Sequence, residues 1–266
     1  MPTSIIAPNF TTAREDTVNI ADDDIITARY FFPRDASPDN VELVDVGDAE
    51  LACHHADSGH ELTVIHFHGN GEVVADYVPG FAQQFDQLGT NTFFAEYRGY
   101  GGSTGTPRLG AMLDDVDAIR RAVDAPDDRI VVFGRSIGSI YAIEFASRFP
   151  DVGGLVLESG IADVLERILL RVEPEALGTT RQAMETEFSR LFDHRDKLGS
   201  YGGPTLVMHA IGDHLVDYSH AERNAEWAGG DTRLVGFERG NHNTIFPANQ
   251  TAYLEELRQF FEAIAA

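Results

Sequence analysis

Lysine is almost missing from this chain: Lys197 stands alone beside 19 arginines, against 24 aspartates and 19 glutamates in 266 residues, for a net charge of −23. Such a surface repels polyphosphates, which argues against a nucleic-acid partner. Cysteine is nearly missing too. Cys53 has no partner with which to close an internal disulfide, so nothing points to an oxidising compartment. No stretch approaches the ~18 to 20 apolar residues that cross a bilayer, and Met1 to Asp16 lacks the basic flank and apolar run of a signal peptide. The expectation is therefore a cytoplasmic protein without a membrane span. Internal repeats, low-complexity tracts and linkers are also missing, which leaves one domain over residues 1–266.

What remains has the composition of a folded protein, 43% hydrophobic and 24% charged, enough for one substantial core. Acidity with so little lysine has two readings. One is adaptation to concentrated salt, where carboxylates keep the surface hydrated and screening removes their repulsion. The other is a GC-rich genome that encodes arginine in place of lysine.

The first sixty residues read as short extended pieces, Ile25 to Phe32 and Val41 to Val46, closed by Pro33 and by Gly47-Asp48. From Glu61 onward, short apolar runs suited to strands buried on both faces alternate with amphipathic segments of helix length. The strands are expected at Leu62 to Phe67, Thr92 to Tyr97, Ile130 to Gly134, Gly154 to Glu158, Pro204 to His209 and Thr232 to Phe237. Helical patterns fall at Val73 to Leu88, Gly110 to Val123, Ile137 to Phe149, Ser219 to Ala228 and Gln250 to Ile264. This grammar predicts an α/β fold, a mostly parallel central sheet with helices on both faces and an antiparallel amino-terminal lead-in. Between Ser159 and Gly203 no strand interrupts the helical spacing of Ile161, Leu165, Ile168, Met184 and Phe188, so a short helical lid insertion is expected at about 160–203. An apolar stripe of that kind is more often core packing than ligand contact.

The sharpest motif is Gly134-Arg135-Ser136-Ile137-Gly138, between a strand and a helical pattern. A serine in G-x-S-x-G is held on a tight bend, its glycines sparing the neighbouring backbone, with its hydroxyl pushed out at a helix amino terminus. A serine hydroxyl is a weak nucleophile and needs a base, and the base needs a carboxylate to fix its tautomer. In parallel-sheet hydrolases these follow in the order serine, acid, histidine. Asp213, just past the strand ending at His209, and His242, past the last strand, fit that order. Asp217 and Glu158 are the alternative acids. His68-Gly69-Asn70-Gly71, closing another strand, could cradle an oxyanion, with the N–H groups of Asn70 and Ile137 as donors and Gly71 as the second choice. The glycines could also simply turn the chain.

Together with Tyr97-Arg98-Gly99-Tyr100-Gly101-Gly102-Ser103, these motifs resemble the α/β-hydrolase superfamily over about residues 40 to 264. The nearest flavour is the serine hydrolases of the α/β-hydrolase-domain type, which include esterases, acylglycerol lipases and protein depalmitoylating thioesterases. The resemblance implies Ser136, His242 and Asp213 as a triad, Asn70 and Ile137 as oxyanion donors, and Arg98 to Gly102 as shapers of a turn. It implies an esterase or thioesterase working on a small-molecule acyl substrate through an acyl-enzyme, with no cofactor and no metal. Asp217 stands where the family often has proline, and the amino-terminal anchor or cysteine cluster of its membrane-bound relatives is lacking. Three other readings stay open: amide hydrolysis, a binding or scaffold protein that keeps the fold without the chemistry, and a metal hydrolase built on His66 and His68 with His54 and His55 nearby.

Overall fold

The computed structural model describes residues 19–266, so the expectation for Met1 to Asp16 lies outside it. Eight strands are present: β1 (Glu42–Asp45), β2 (Glu50–Ala56), β3 (Leu62–Phe67), β4 (Thr90–Ala95), β5 (Ile130–Arg135), β6 (Gly154–Glu158), β7 (Thr205–Ala210) and β8 (Thr232–Phe237). They form one sheet in the order β1-β2-β4-β3-β5-β6-β7-β8. β1 pairs antiparallel with β2, and β2 antiparallel with β4; every later pairing is parallel. The antiparallel lead-in is thus the first two strands.

The central strands are apolar at consecutive positions because both their faces are covered, and side-chain alternation sends successive residues to opposite cores. Ile65, Phe67, Ile130, Val132, Leu155, Leu157 and Val207 enter one core, against α4 (Asp115–Ala122), α5 (Gly138–Arg148), α8 (His194–Ser200) and α9 (Ser219–Trp227). Val64, Val131, Phe133, Val156, Leu206 and Met208 enter the other, against α3 (Phe81–Gln87) and α10 (Ile245–Ala265). No described helix is long and apolar enough to cross a membrane.

Several segments differ from the sequence reading; among them, the helix expected over Gly110 to Val123 is a 3-10 turn at Ala111–Leu113 followed by α4. Ile25 to Phe32 is no extended piece but α1 (Asp24–Tyr30). The Asp23 carboxylate caps it by accepting the Ile25 N–H at 2.7 Å, and Ile26 and Tyr30, one turn apart, are the residues it buries. Capping and burial outweigh the β-branched character of Ile25-Ile26-Thr27. The helix expected over Val73 to Leu88 breaks at Pro79-Gly80 into α2 (Val74–Tyr77) and α3. β4 ends two residues early, so Glu96 and Tyr97 leave the sheet. The last helix starts at Ile245, before the expected Gln250, and kinks at Asn249, whose side-chain amide donates to the Ile245 carbonyl at 2.8 Å.

The strand-free interval holds α6 (Val164–Leu169), a short 3-10 turn at Pro174–Leu177, α7 (Arg181–Leu191) and α8. Its stripe is mainly core: Ile168, Met184, Phe188 and Leu198 are buried in the same cluster as α5. α8 is the crossover helix between β6 and β7. It is tied to α5 by Lys197, which pairs with Glu144 and donates to the Leu191 carbonyl.

Candidate active site

Ser136 sits between β5 and α5 with φ +53°, a left-handed conformation that costs a non-glycine residue roughly 1 kcal/mol and turns its side chain out of the strand direction. Its neighbours show what forces the bend. A Cβ on Gly134 would lie 2.6 Å from both the Ala142 Cβ and the Ser139 Cα, and one on Gly138 would lie 2.2 Å from the Phe67 carbonyl oxygen. Both positions therefore admit glycine alone. The turn is pinned from outside: the Ser136 N–H donates to the Glu158 carbonyl at 2.8 Å, and the Ser139 hydroxyl donates to the Ser136 carbonyl at 2.6 Å.

The loop after β8 brings His242 Nε2 to 2.9 Å from Ser136 Oγ, while His242 Nδ1 lies 2.7 Å from Asp213 Oδ2. An ionised carboxylate only accepts, so Nδ1 carries the proton, and in a neutral ring Nε2 is left to accept from the serine hydroxyl. Asp213 Oδ1 accepts the N–H groups of Leu215 and Val216 at 2.8 and 2.9 Å, and His209 Nε2 lies 3.2 Å from Oδ2. Burial alone would raise the Asp213 carboxyl, yet hydrogen bonds from His209, His242 and the Val216 N–H hold it well below the usual carboxylate range. The other two acids are engaged elsewhere. Asp217 accepts the Ser219 N–H, and Glu158 is paired with Arg135 and Tyr253.

Asn70 and Ile137 border the same cleft of about 210 Å³ as Ser136 and His242; Gly71 does not. Among the hydrogen bonds of the described residues neither the Asn70 N–H nor the Ile137 N–H has an acceptor. The Asn70 side chain points elsewhere: its oxygen accepts from the Phe32 N–H at 3.1 Å and the Tyr100 hydroxyl at 2.9 Å, and its amide donates to the Tyr30 carbonyl. These bonds fix the backbone of the loop and leave its N–H free. Behind it, His68 Nε2 donates to Glu96 Oε1 at 2.6 Å and Nδ1 to the Gly69 carbonyl at 2.8 Å. Burial works against a charge on His68, but Glu96 and that carbonyl outweigh it, and the imidazole pKa is raised.

Sequence reasoning gave no role to Arg135, the x of the motif. Its guanidinium reaches Glu72 Oε1 at 2.8 Å, Glu158 Oε1 at 3.1 Å and the His242 carbonyl at 3.0 Å. Burial opposes that charge, yet the Glu158 and Glu72 carboxylates keep it cationic. Glu72 Oε2 in turn accepts the Gly69 N–H at 2.6 Å. One arginine thereby ties the serine turn, the histidine loop and the Asn70 loop together. Gly69 has to be glycine for this, since a Cβ there would stand 2.5 Å from the Arg135 Nη1. Pairing across 63 positions leaves no periodic signal in the sequence.

The histidines near the start are not gathered. His66 is buried among Tyr77, Phe81, Phe94 and Phe133, and that desolvation, with the charges of His68 and Arg135, pushes its pKa well down, whereas His68 faces Glu96 and His54 the Asn40 carbonyl. Among the described residues no three His, Cys, Asp or Glu side chains are grouped to hold a metal ion.

Similarities to known proteins agree with this architecture. The chain is 28% identical over 209 residues to α/β-hydrolase domain-containing protein aho-3 of Caenorhabditis elegans, covering 77% of this chain and 59% of that protein. It is 28% identical over 202 residues to the human α/β-hydrolase domain-containing protein 17C, covering 74% and 57%. It thus spans somewhat under two thirds of these relatives. Among solved structures, Est1E from Butyrivibrio proteoclasticus with bound ferulic acid superposes with a TM-score of 0.70 at 18% identity, covering 85% of this chain and all of that one (100%). The esterase EaEST from Exiguobacterium antarcticum gives 0.64 at 19%, covering 84% and 100%. The profile of the family described as serine aminopeptidase, S33, matches residues 58–201. With that match across more than half its length, the chain belongs to this family of the α/β-hydrolase superfamily.

Proposed function

We propose that the protein is a serine hydrolase that cleaves a carboxylic ester or thioester of a small molecule through an acyl-enzyme. The observation that carries this reading is the row Ser136 Oγ, His242 Nε2, His242 Nδ1, Asp213 Oδ2, with steps of 2.9 and 2.7 Å, opening on the cleft that Asn70 and Ile137 border. His242 takes the Ser136 proton as Oγ attacks the carbonyl carbon. The N–H groups of Asn70 and Ile137 receive the developing oxyanion, each such donor contributing roughly 10²- to 10³-fold in rate. The imidazolium returns the proton to the leaving alcohol or thiol, and water then cleaves the acyl-enzyme by the same relay. Asp213, held ionised, orients the ring and stabilises the imidazolium. The segment from Ile161 through α6 to Arg171 acts as the lid, since Ile161, Arg167 and Arg171 line the cleft.

The family description also suggests aminopeptidase chemistry. An aminopeptidase has to neutralise a substrate ammonium group, and the cleft offers no carboxylate lining for one. The ester reading is therefore preferred. It is tested with a fluorophosphonate probe and a series of p-nitrophenyl esters of increasing chain length, in the presence and absence of EDTA. Wild type should be labelled and turn over ester with EDTA present, and Ser136→Ala should do neither. An unlabelled, inactive wild type would favour a scaffold that keeps the fold without the chemistry.

A further inference from the structure

The catalytic cleft is lined by three arginines, Arg135, Arg167 and Arg171, and by no aspartate or glutamate. In a chain with 43 acidic residues against 20 basic ones this is the reverse of the surface at large. Arg135 is neutralised by Glu72 and Glu158. Arg167 and Arg171 make no ion pair among the described residues, although carboxylates are plentiful. Glu166, the acid adjacent in sequence, is turned to Arg223 at 3.0 Å and lies beside His220. Among the described residues the Nε of Arg167 is buried without a hydrogen-bond partner, which is costly for a charged group unless something supplies the acceptor. The Arg171 guanidinium lies over the rings of Phe32 and Tyr30, at 5.5 and 6.0 Å, both residues of the cleft wall. Among the described residues its only hydrogen bond is a long one of 3.3 Å to the Arg29 carbonyl. Both charges bear on Tyr30: burial pushes its phenol up, and the two arginines pull it back.

We propose that the substrate carries, besides its scissile ester or thioester, an anionic oxygen group, carboxylate or phosphate, which Arg167 and Arg171 bind at the wall of the cleft. The inference rests on the ester-hydrolase reading for its consequence but not for the binding itself. Arginine suits the task because its planar fork pairs with two oxygens at once. The net charge of −23 does not forbid a small anion, since exposed charges beyond roughly 8 to 10 Å are screened at ordinary salt. It does disfavour long polyanions. The two arginines are four positions apart, Arg167 within α6 and Arg171 just past its end, so one segment places both.

Calorimetric titration with glutarate and, separately, inorganic phosphate tests this on the intact protein and distinguishes the two sources of anion. Wild type should bind at least one of them, and Arg167→Gln and Arg171→Gln should each weaken that binding about 10- to 100-fold, the range of a lost charge-assisted hydrogen bond. Arg171 is exposed, so its variant keeps the test available if Arg167→Gln fails to fold. Arg171→Lys, which keeps charge without the fork, should recover binding in part. Absence of binding of both anions at 10-millimolar order in wild type, or binding unaltered in the glutamine variants, overturns the proposal. In turnover, p-nitrophenyl hydrogen glutarate should be preferred over the neutral p-nitrophenyl valerate, and the two glutamine variants should narrow that ratio. If no ester is turned over while glutarate still binds through the arginines, the ester-hydrolase reading fails and the anion site stands.

Discussion

Two kinds of arginine flank one serine. Arg135 lines the cleft with both its carboxylate partners in place, and its donors end on three separate pieces of the site: Glu72, two residues past Asn70, Glu158 at the end of β6, and the His242 carbonyl. Arg167 and Arg171 line the same cleft and, among the described residues, pair with no carboxylate. The same side chain serves as a fastener where its charge is already spent and as a receptor where it is not. A cation's neighbours, more than its position beside a nucleophile, decide which of these it is.

The comparison can be broken in graded steps. The reference is the row itself: Asp213→Asn should cost about 10⁴-fold in kcat through the wrong histidine tautomer. Ser136→Ala and His242→Ala should be at least as severe, with little further loss in the double variant, measured on an activated ester. Arg135→Met comes next. It leaves Glu72 and Glu158 without their cation and should remove about 3 kcal/mol of stability by urea unfolding, as broken buried pairs do. Loosening three loops together should lower kcat on the order of 10²-fold. If this variant proved as stable as wild type, the fastener reading of Arg135 would be lost.

A pH experiment sharpens the paired side of the contrast. His68 has a folded pKa raised above its ordinary 6.5 by Glu96, so the stability it contributes is fully present below 6.5 and disappears as pH rises through the folded value. The difference in melting temperature between wild type and His68→Gln should therefore be largest in mild acid and shrink in alkali. Asp213 has the opposite sign. Its carboxyl is depressed below 3.8, so its contribution is present above that pH and lost as pH falls further. The smallest effect is expected at Arg171→Gln, whose stability should stay within about 0.5 kcal/mol of wild type because no internal partner is orphaned. A large loss there would show that Arg171 is structural after all.

The parallel sheet is legible in the sequence because its strands are short apolar runs covered on both faces, and the serine turn because its glycines sit where any Cβ would strike backbone. The candidate residues Ser136, Asp213 and His242 are visible because chemistry-bearing side chains fall at strand ends, one after another. α1 is harder to see: Ile25-Ile26-Thr27 has strand composition, and the competing signal is the Asp22-Asp23-Asp24 run that supplies its cap. The Arg135 pairs are contacts between distant stretches, and nothing local marks Glu72 as their partner. Arg167 and Arg171 do leave a trace, two arginines four apart in an apolar helical segment, but a charge on a helix usually means solvent. Their significance rests on the lack of carboxylates around them, which only the folded arrangement displays.

The tether between α8 and α5 has a practical side. The chain's one lysine is the residue that makes it, with Glu144 and the Leu191 carbonyl occupying its ammonium and only 16% of the side chain accessible. Reagents that acylate side-chain amines will find that single target shielded. Surface attachment or isotope tagging of this protein is better directed at its carboxylates, which are abundant and, unlike Lys197, can be modified without prying a helix from its support.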